Sequence, residues 1–333
     1  MARPSLGPGL DGILVVAKPA GPTSHDVVAL VRRLAATKRV GHGGTLDPFA
    51  SGVLPIFLGH ATRVVEYHLR DRKAYRATVC FGASSTTDDL EGELSPATGS
   101  APDRAAVEAA LRGFLGDISQ RPPAYSAIKV GGRRAYAMAR AGETVTLAPR
   151  DVTIHELTVA SWDDTDPERP VLVVDVLCSA GTYVRALTRD LGDAVGSAAY
   201  LGALTRTASG PFVLEDATPL DDVRSAAANG PAGLARYLRP IDAGLEALPE
   251  VALTAAEVAA IARGQFVRPA AGLPAAADPQ PTAEPSGAAV HYRLRGPGGA
   301  LVAIATAAGG RLAPDKVFVA PGAGGPAGPT SAT

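Results

Sequence analysis

The stretch GHGGTLDPFASGVLP, residues 41–55, places a single carboxylate, that of Asp47, among glycines, small hydroxyl residues and two prolines. Pro48 disfavours helical angles at Asp47 and directs it toward an extended conformation. The nearby glycines let another part of the backbone come close, and Thr45 and Ser51 could fix the carboxylate by hydrogen bonds. Such a carboxylate can act as a nucleophile, although Asp-Pro in a glycine-rich stretch is also common turn chemistry.

Four other short clusters contain residues that could carry chemistry. They are AKPAGPTSHDVV (17–28), KAYRATVCFG (73–82), RPPAYSAIKVGGRRAY (121–136) and CSAGTYVRALTRDLG (178–192). Each cluster taken alone favours a structural role. Tyr75, for example, occupies an alternating strand position that suits a core aromatic residue. Arg185 would equally suit a helix surface. Their joint occurrence with the 41–55 stretch favours a site.

Common cofactor motifs are missing from the sequence. There is no G-x-x-x-x-G-K-[ST] phosphate loop and no G-x-S-x-G nucleophile elbow. The six histidines and two cysteines show no zinc-ligand spacing. We therefore expect neither a metal nor a cofactor.

Basic residues are concentrated in two blocks, although the formal net charge is −1. Residues 18–76 contain ten Lys/Arg against four Asp/Glu, and residues 121–150 contain six against one. If the two blocks converge in space, they form a binding surface for a polyanion. Ordinary solvated helix faces and loops explain the charge pattern equally well.

Composition and length indicate a soluble globular protein. Of the 333 residues, 46% are hydrophobic and 20% charged, which is the usual balance. No apolar run approaches the roughly 20 residues that span a bilayer, and the first 20 residues lack the pattern of an export signal. Cys80 and Cys178 sit in apolar stretches and are expected to be reduced, as in the cytoplasm.

Local patterns predict the elements that must position these clusters. Residues 12–18 and 73–82 read as strands, with alternation in the second. Helical spacing follows Thr23 or Ser24 as the N-cap, and an amphipathic helix is predicted over 103–116. Residues 170–196 read as strand, turn and helix. Because strands and helices alternate without a strict βαβ rhythm, an α+β fold with a mixed sheet is expected.

The sequence pattern changes near residue 245, where short strand-like and Pro/Ala-rich segments begin, and this change predicts two domains. We expect a larger domain over 10–245, with 121–150 as a basic surface excursion, and a small β-rich domain over 246–320. The Pro/Ala-rich stretch 268–289 is expected to be a flexible insertion. The Gly/Pro/Ala-rich tail, 321–333, is expected to be disordered.

The clusters, in this order, closely resemble the bacterial tRNA pseudouridine(55) synthase family. Its signature elements K-P-x-G-x-T-S and G-H-x-G-T-L-D-P-x-A-x-G-V-L-P are matched at 18–24 and 41–55, and R-P-P-x-Y-S-A-x-K and C-S-x-G-T-Y-x-R-x-L at 121–129 and 178–187. The resemblance spans residues 12–245. It implies the pseudouridine-synthase fold, with a mixed, mainly antiparallel sheet flanked by helices, and a reduced PUA-like C-terminal domain.

The resemblance assigns roles to individual residues. Asp47 is the catalytic aspartate, Arg185 its partner, and Tyr75 the aromatic residue that stacks on the target uracil. The remaining expected site residues are Tyr183 and Leu204 as walls, His42 for base flipping, Lys18, Gly44 and Thr45 as loop support, and Arg121, Lys129, Arg133 and Arg134 for RNA binding.

One departure from the family pattern is visible. The family often has T-D-T-x-D-x-x-G after the tyrosine strand, whereas this chain has STTDDLEG at 85–92. Thr86 takes the place of the first acid and Asp89 keeps the second. The supporting contact of that first acid is therefore in question.

The implied reaction breaks the C1′–N1 bond of a tRNA uridine, turns the uracil and joins C1′ to C5. It needs no cofactor. Asp47 could add to C6 or act at C1′, and Tyr75 is one candidate for the base that removes the C5 proton. Arg185 is expected to keep Asp47 ionised by lowering its pKa.

The expected partner is the T-arm of tRNA, with no membrane and no obligate protein partner, and the chain is expected to be a cytoplasmic monomer. Three alternatives remain. They are an RNA-folding helper whose catalysis is incidental, a pseudouridine synthase with another RNA target, and a glycosidase, for which a second acid is missing.

Overall fold

The computed structural model describes residues 10–126, 128–143, 145–269, 272–274 and 290–319. Most of the expected insertion at 268–289, and all of the expected tail at 321–333, lie outside these residues.

The described residues contain seven α-helices. They are α1 (Ser24–Leu34), α2 (Val65–Leu69), α3 (Arg104–Arg112), α4 (Ala135–Arg140), α5 (Val184–Ala194), α6 (Leu220–Ala226) and α7 (Ala255–Ala262).

Nineteen strands accompany them in the same residues. They are β1 (Gly12–Lys18), β2 (Val40–His42), β3 (Ser51–Leu58), β4 (Lys73–Phe81), β5 (Ala83–Ser85), β6 (Leu94–Pro96), β7 (Gly116–Gln120), β8 (Lys129–Val130), β9 (Arg133–Arg134), β10 (Arg150–Asp163), β11 (Val171–Cys178), β12 (Ala199–Ser209), β13 (Phe212–Val213), β14 (Thr218–Pro219), β15 (Leu238–Arg239), β16 (Glu250–Ala252), β17 (His291–Arg295), β18 (Leu301–Ala308) and β19 (Arg311–Val317).

One large sheet forms the body of the molecule, in the strand order β14-β1-β3-β12-β4-β11-β10-β7. Strands β2, β13 and β15 pair with β3, β12 and β1 beside this path. The pairs β1–β14 and β3–β12 are parallel and the other pairs are antiparallel. The expectation of a mixed, mainly antiparallel sheet with helices is confirmed.

A second sheet follows near the C-terminus, in the order β16-β17-β18-β19. Ile304 of β18 is fully buried in a cluster with Ile13 and Phe57 of the large sheet. Arg293 of β17 lies 3.3 Å from Asp242, and both side chains are buried. The second sheet therefore packs on the first through an apolar cluster, and a buried ion pair joins it to the segment that follows β15.

Local capping explains where the helices that flank the site begin. The Thr23 hydroxyl accepts the Asp26 N–H, and the Asp26 carboxylate accepts the Thr23 N–H, which completes a capping box for α1. Helix α5 lacks a side-chain cap of its own at Tyr183. The buried Gln120 side chain instead accepts the Tyr183 N–H at 2.8 Å and donates to the Tyr183 carbonyl at 3.1 Å.

In the part of the chain that the structure describes, none of the helices combines the length and the apolar character needed to cross a bilayer.

Candidate active site

Asp47 lies on the loop between β2 and β3, in the middle of the large sheet. Ser24, at the start of α1, accepts the Leu46 N–H at 2.8 Å and donates to the Leu46 carbonyl at 3.0 Å. The Gly21 N–H donates to the Pro48 carbonyl at 2.8 Å. These bonds hold the residues on both sides of Asp47 against the start of α1 and the segment that precedes it.

Lys18 supports the same loop from the end of β1. Its buried ammonium donates to the carbonyls of Pro22 at 2.8 Å and Pro48 at 3.3 Å. Burial lowers the pKa of Lys18 to about 8, although the nearby Asp47 charge opposes the change. The position agrees with the loop-support role expected from the resemblance.

The Ser51 hydroxyl has a partner other than the Asp47 carboxylate. Ser51 lies 3.0 Å from the Thr205 hydroxyl on the neighbouring strand, and the backbone carbonyl of Thr45 accepts a hydrogen bond from Arg206. The expectation that Ser51 fixes the carboxylate by a hydrogen bond is therefore wrong, and the same expectation for the Thr45 hydroxyl stays a prediction. Strand pairing between β3 and β12 takes Ser51 toward Thr205.

Arg185, in the first turn of α5, is the cation that faces Asp47. Its Nε lies 3.0 Å from Oδ2 of Asp47. Nη1 lies 3.2 Å from Oδ2 of Asp89 and donates to the Thr87 carbonyl, and Nη2 donates to the Tyr125 carbonyl. The guanidinium is held from several directions, so its position relative to Asp47 is fixed.

Burial reverses the expected effect of Arg185 on Asp47. The Asp47 side chain keeps 36% of its surface exposed, but protein surrounds it on its other sides. Burial raises the pKa of Asp47 above the ordinary aspartate value; the Arg185 charge opposes this increase and the Asp89 charge reinforces it. The expected lowering of this pKa is wrong, because desolvation outweighs one opposite charge.

Asp89 is the second carboxylate at Arg185, and its side chain is buried. Its Oδ1 accepts the Thr87 hydroxyl at 2.5 Å and the Glu91 N–H at 3.0 Å. Asp89 is thereby fixed within its own turn. The sequence comparison noted Asp89 as a retained family acid but did not place it against Arg185.

Thr86 lies outside this cluster. Its side chain is exposed, and its hydroxyl accepts the Glu93 N–H at 3.0 Å across the turn between β5 and β6. Thr86 therefore closes a local turn. The residues of this turn that contact Arg185 are Thr87 and Asp89.

Tyr75 and Leu204 lie on adjacent antiparallel strands, β4 and β12, and pack on the main core cluster with Leu46. Burial raises the pKa of Tyr75, Arg206 opposes the change, and Asp47 adds to it. Burial also raises the pKa of Tyr183, with Asp47 adding to the increase. Both phenols thus lie within electrostatic range of the Asp47 carboxylate.

Arg206 is the residue that the sequence analysis missed. It is 1% exposed and donates to the backbone carbonyls of Val53 at 2.8 Å, Gly44 at 3.1 Å and Thr45 at 3.3 Å. Its position pairs in register with Tyr75. The one sequence signal was a cation inside a strand whose neighbours are small or apolar.

His42, at the end of β2, borders the loop. Its Nδ1 accepts the Gly44 N–H at 3.3 Å, and its ring meets that of His25 edge-on at 5.6 Å between centroids. Burial lowers the pKa of His42, and the charges of His25 and Arg206 lower it further. The ring is therefore neutral near pH 7, with Nε2–H directed away from the Gly44 bond.

The basic segment after β7 is partly tied to α5. Arg189 donates to the Arg121 carbonyl at 2.9 Å and pairs with Asp88 at 2.9 Å. Arg133 is paired with Glu143 at 2.7 Å, and both side chains are largely exposed. The side chains of Lys129 and Arg134 lie outside the described part of the chain.

The site thus presents one partly exposed carboxylate beside a fixed guanidinium, with two phenols nearby. Within the described ranges, no cluster of three or more His, Cys, Asp or Glu side chains has metal-binding geometry.

Comparison with known families matches two successive stretches that together span residues 32–246. Residues 32–184 match the model of the TruB family pseudouridylate synthase N-terminal domain. Residues 185–246 match that of the tRNA pseudouridylate synthase B C-terminal domain.

Curated relatives and solved structures extend the match. A tRNA pseudouridine synthase B of Bradyrhizobium diazoefficiens is 46% identical over 77% of this chain and 74% of the relative. One from Arthrobacter sp. is 43% identical over 93% of this chain and 97% of the relative. The structure of an H/ACA RNP bound to a substrate RNA containing 2′-deoxyuridine aligns with a TM-score of 0.68, at 25% identity over 93% of this chain and 86% of that one. A Cbf5-Nop10-Gar1 complex aligns with a TM-score of 0.67, at 26% identity over 96% of this chain and 92% of that one.

Proposed function

Since the chain belongs to the TruB family of pseudouridylate synthases, we infer that it isomerises uridine to pseudouridine in tRNA, and we propose uridine 55 of the T-loop as its target. The choice of position 55 rests on the family signature at residues 41–55 and 178–187. The single observation that carries the mechanism is the placement of Arg185 3.0 Å from the Asp47 carboxylate.

The reaction rearranges one nucleotide without a net change in its atoms. The C1′–N1 bond breaks, C1′ joins C5, the proton on C5 leaves, and N1 gains a proton. No electrons are exchanged with another molecule. One carboxylate and a proton acceptor are sufficient for these steps.

We assign the carboxylate role to Asp47. Its exposed edge can reach the target nucleotide, while Arg185 holds the opposite side in a fixed orientation. Asp47 can add to the uracil ring as a nucleophile or stabilise a cationic sugar at C1′, and the geometry is compatible with both. Because burial raises its pKa, its carboxylate is more basic and more nucleophilic than that of an exposed aspartate.

Tyr75 and His42 act on the target base. The uridine must leave the folded loop at a cost of a few kcal/mol, and stacking on the Tyr75 ring returns about 1–3 kcal/mol. Burial raises the pKa of Tyr75, so a stacking role fits it better than that of a base at neutral pH. Once the uridine has flipped out, the neutral ring of His42, at the edge of the loop, fills the space that the uracil leaves in the RNA stack. Tyr183 and Leu204 form the walls of the pocket.

The basic segment 121–150 binds the phosphates of the T-arm, whose helical part is read largely by shape. Arg121, Lys129, Arg133 and Arg134 supply cations there. The Tyr125 carbonyl on this segment accepts a hydrogen bond from Arg185. One hydrogen bond therefore joins this segment to the guanidinium that faces Asp47.

The protein acts as a cytoplasmic monomer without an obligate protein partner. Cys80 and Cys178 are free thiols, in keeping with a reducing compartment. Residues 10–245 form the catalytic domain, and residues 246–320 form a small PUA-like domain. The Cbf5 structure with similar architecture is a complex with Nop10 and Gar1, so association with other proteins is the alternative arrangement.

The target is tested by incubating the protein with an unmodified tRNA transcript and mapping pseudouridine chemically along the RNA. We expect one new pseudouridine, at position 55, and none in a transcript with cytidine at that position. Pseudouridine at another position would show a different target. RNA binding without any pseudouridine would favour a folding helper.

A further inference from the structure

The Arg206 side chain presents an unusual charge in the interior of the large sheet. It is among the largest fully buried side chains of the described residues, at 1% exposure. Its guanidinium nitrogens donate to three backbone carbonyls and not to a carboxylate. Burying a charge without an opposite charge is costly unless hydrogen bonds compensate. Arginine also remains charged in proteins, so the cost at this position is permanent.

The three carbonyls lie on both sides of Asp47. Gly44 and Thr45 precede it on the loop, and Val53 follows it in β3. Gly44 has a φ of +122°, a conformation that L side chains rarely adopt. A Cβ placed on Gly44 would lie 3.6 Å from Nη1 of Arg206. The loop therefore closes around the guanidinium at both of its ends.

Gly52 shows how closely β3 approaches the backbone of Arg206. It has a φ of +112°, and a Cβ there would lie 2.2 Å from the Arg206 carbonyl oxygen. Parallel pairing of Gly52 with Arg206 joins β3 to β12 at this point. The backbone of Arg206 thus pairs with β3 where the loop ends, while its side chain donates to carbonyls before and after Asp47.

Arg206 also faces Tyr75. The two residues are directly opposite in the antiparallel pair β12–β4, so their side chains share one face of the sheet. The positive charge of Arg206 opposes the effect of burial on the pKa of Tyr75. Arg206 therefore bonds the loop of Asp47 and lies opposite the aromatic residue assigned to stacking.

We infer that Arg206 is a positioning residue that sets the separation between the Asp47 loop and Tyr75, and so maintains the gap that the target uracil enters. The inference rests on the function proposed above. Arg206 acts through the backbone of Gly44 and Thr45 and through its place opposite Tyr75 on the sheet. It does not itself touch the RNA, because its side chain is covered.

The test compares Arg206→Gln with Arg293→Gln, which removes a buried arginine from the second sheet. Single-turnover pseudouridine formation and affinity are measured on a T-arm stem-loop. Arg206→Gln should lower the rate by about 100-fold, the cost of a misplaced reacting group, with little change in affinity. Arg293→Gln should destabilise the fold and leave the rate of the folded protein unchanged. Equal rate losses in both variants, or none in Arg206→Gln, would overturn the inference.

Hydrogen exchange separates positioning from general destabilisation. The N–H groups of Gly43, Gly44 and Leu46 on the loop donate, in that order, to the Pro55 carbonyl, to Nδ1 of His42 and to the Ser24 hydroxyl. They should exchange faster in Arg206→Gln, while amides of β10 and β11 stay protected. Faster exchange throughout the sheet would contradict the inference. If Arg206→Gln does not fold, Arg206→Lys must show the same local pattern, with a rate loss of about 10-fold from lost hydrogen bonds.

A double variant tests the connection to Tyr75. If Arg206 acts on the reaction partly through the position of the Tyr75 ring, the rate losses of Arg206→Gln and Tyr75→Leu should not multiply in the double variant. Losses that multiply would contradict this connection. If the unsubstituted protein formed no pseudouridine, the proposed function would fail, but hydrogen exchange would still decide whether Arg206 anchors the loop.

Discussion

Arg185 joins two carboxylates of different exposure: its Nε lies 3.0 Å from Oδ2 of Asp47, and its Nη1 lies 3.2 Å from Oδ2 of Asp89. Asp89 is buried and is fixed by Thr87 and by the Glu91 N–H. The buried carboxylate orients the guanidinium, and the guanidinium in turn orients the partly exposed carboxylate.

Asp89→Asn should lower the single-turnover rate on a T-arm stem-loop by on the order of 100-fold, because Arg185 loses its fixed orientation and Asp47 moves with it. RNA affinity should change little. Glu108→Gln, at an exposed ion pair on α3, is the matched control and should keep its rate. A full rate in Asp89→Asn would show that Arg185 is positioned without Asp89.

The raised pKa of Asp47 links stability to pH. Burial makes the pKa higher in the folded chain than in the unfolded chain, so ionised Asp47 destabilises the fold above that folded pKa. The cost disappears below the unfolded value of about 3.9. Thermal melts should show Asp47→Asn at least as stable as the unsubstituted protein at pH 7, with the difference shrinking toward pH 4. A lower Tm for Asp47→Asn at pH 7 would contradict this sign.

Tyr75→Phe and Tyr75→Leu separate stacking from proton transfer. The Phe variant keeps the aromatic ring and should bind the stem-loop as tightly as the unsubstituted protein. The Leu variant should lose about 1–3 kcal/mol of stacking, measured as weaker binding and a lower rate. If Tyr75→Phe bound RNA normally but formed no pseudouridine, the hydroxyl would be the C5 base and stacking alone would be insufficient.

Thr86→Asp restores the acid that the family often has at this position. Since Thr86 is exposed and bonds the Glu93 N–H, an aspartate there can accept the same bond. We expect the rate and the Tm to remain close to those of the unsubstituted protein. A clear gain in rate would mean that Thr86 weakens the cluster around Arg185.

Short-range patterns predicted much of the fold. The α1 cap at Thr23, the Asp103 cap of α3 and the alternating strand β4 follow from interactions within a few residues. The arrangement of the sheet came from the family resemblance, because periodicity does not reveal which strands pair. For the same reason the partner of Ser51 could not be predicted, since Thr205 lies 154 positions away.

The electrostatics of the site could not be predicted from the sequence. Asp47, Arg185 and Tyr75 were proposed from the spacing of the family motifs; the structure places Arg185 3.0 Å from Asp47, and the roles of the three residues stay predictions. The direction of the Asp47 pKa shift depends on how much protein surrounds the carboxylate, which appears only in the folded chain. Arg206 was missed because its acceptors are backbone carbonyls that lie 153 to 162 positions away.

The most direct test is the single-turnover rate of pseudouridine formation at position 55 by Asp47→Asn, measured together with its affinity for the T-arm stem-loop. We predict a rate lower by several orders of magnitude at nearly unchanged affinity, because the carboxylate takes part in the bond rearrangement and contributes little to binding. A rate within a few fold of the unsubstituted protein, at the same affinity, would contradict the assignment of Asp47 as the catalytic carboxylate.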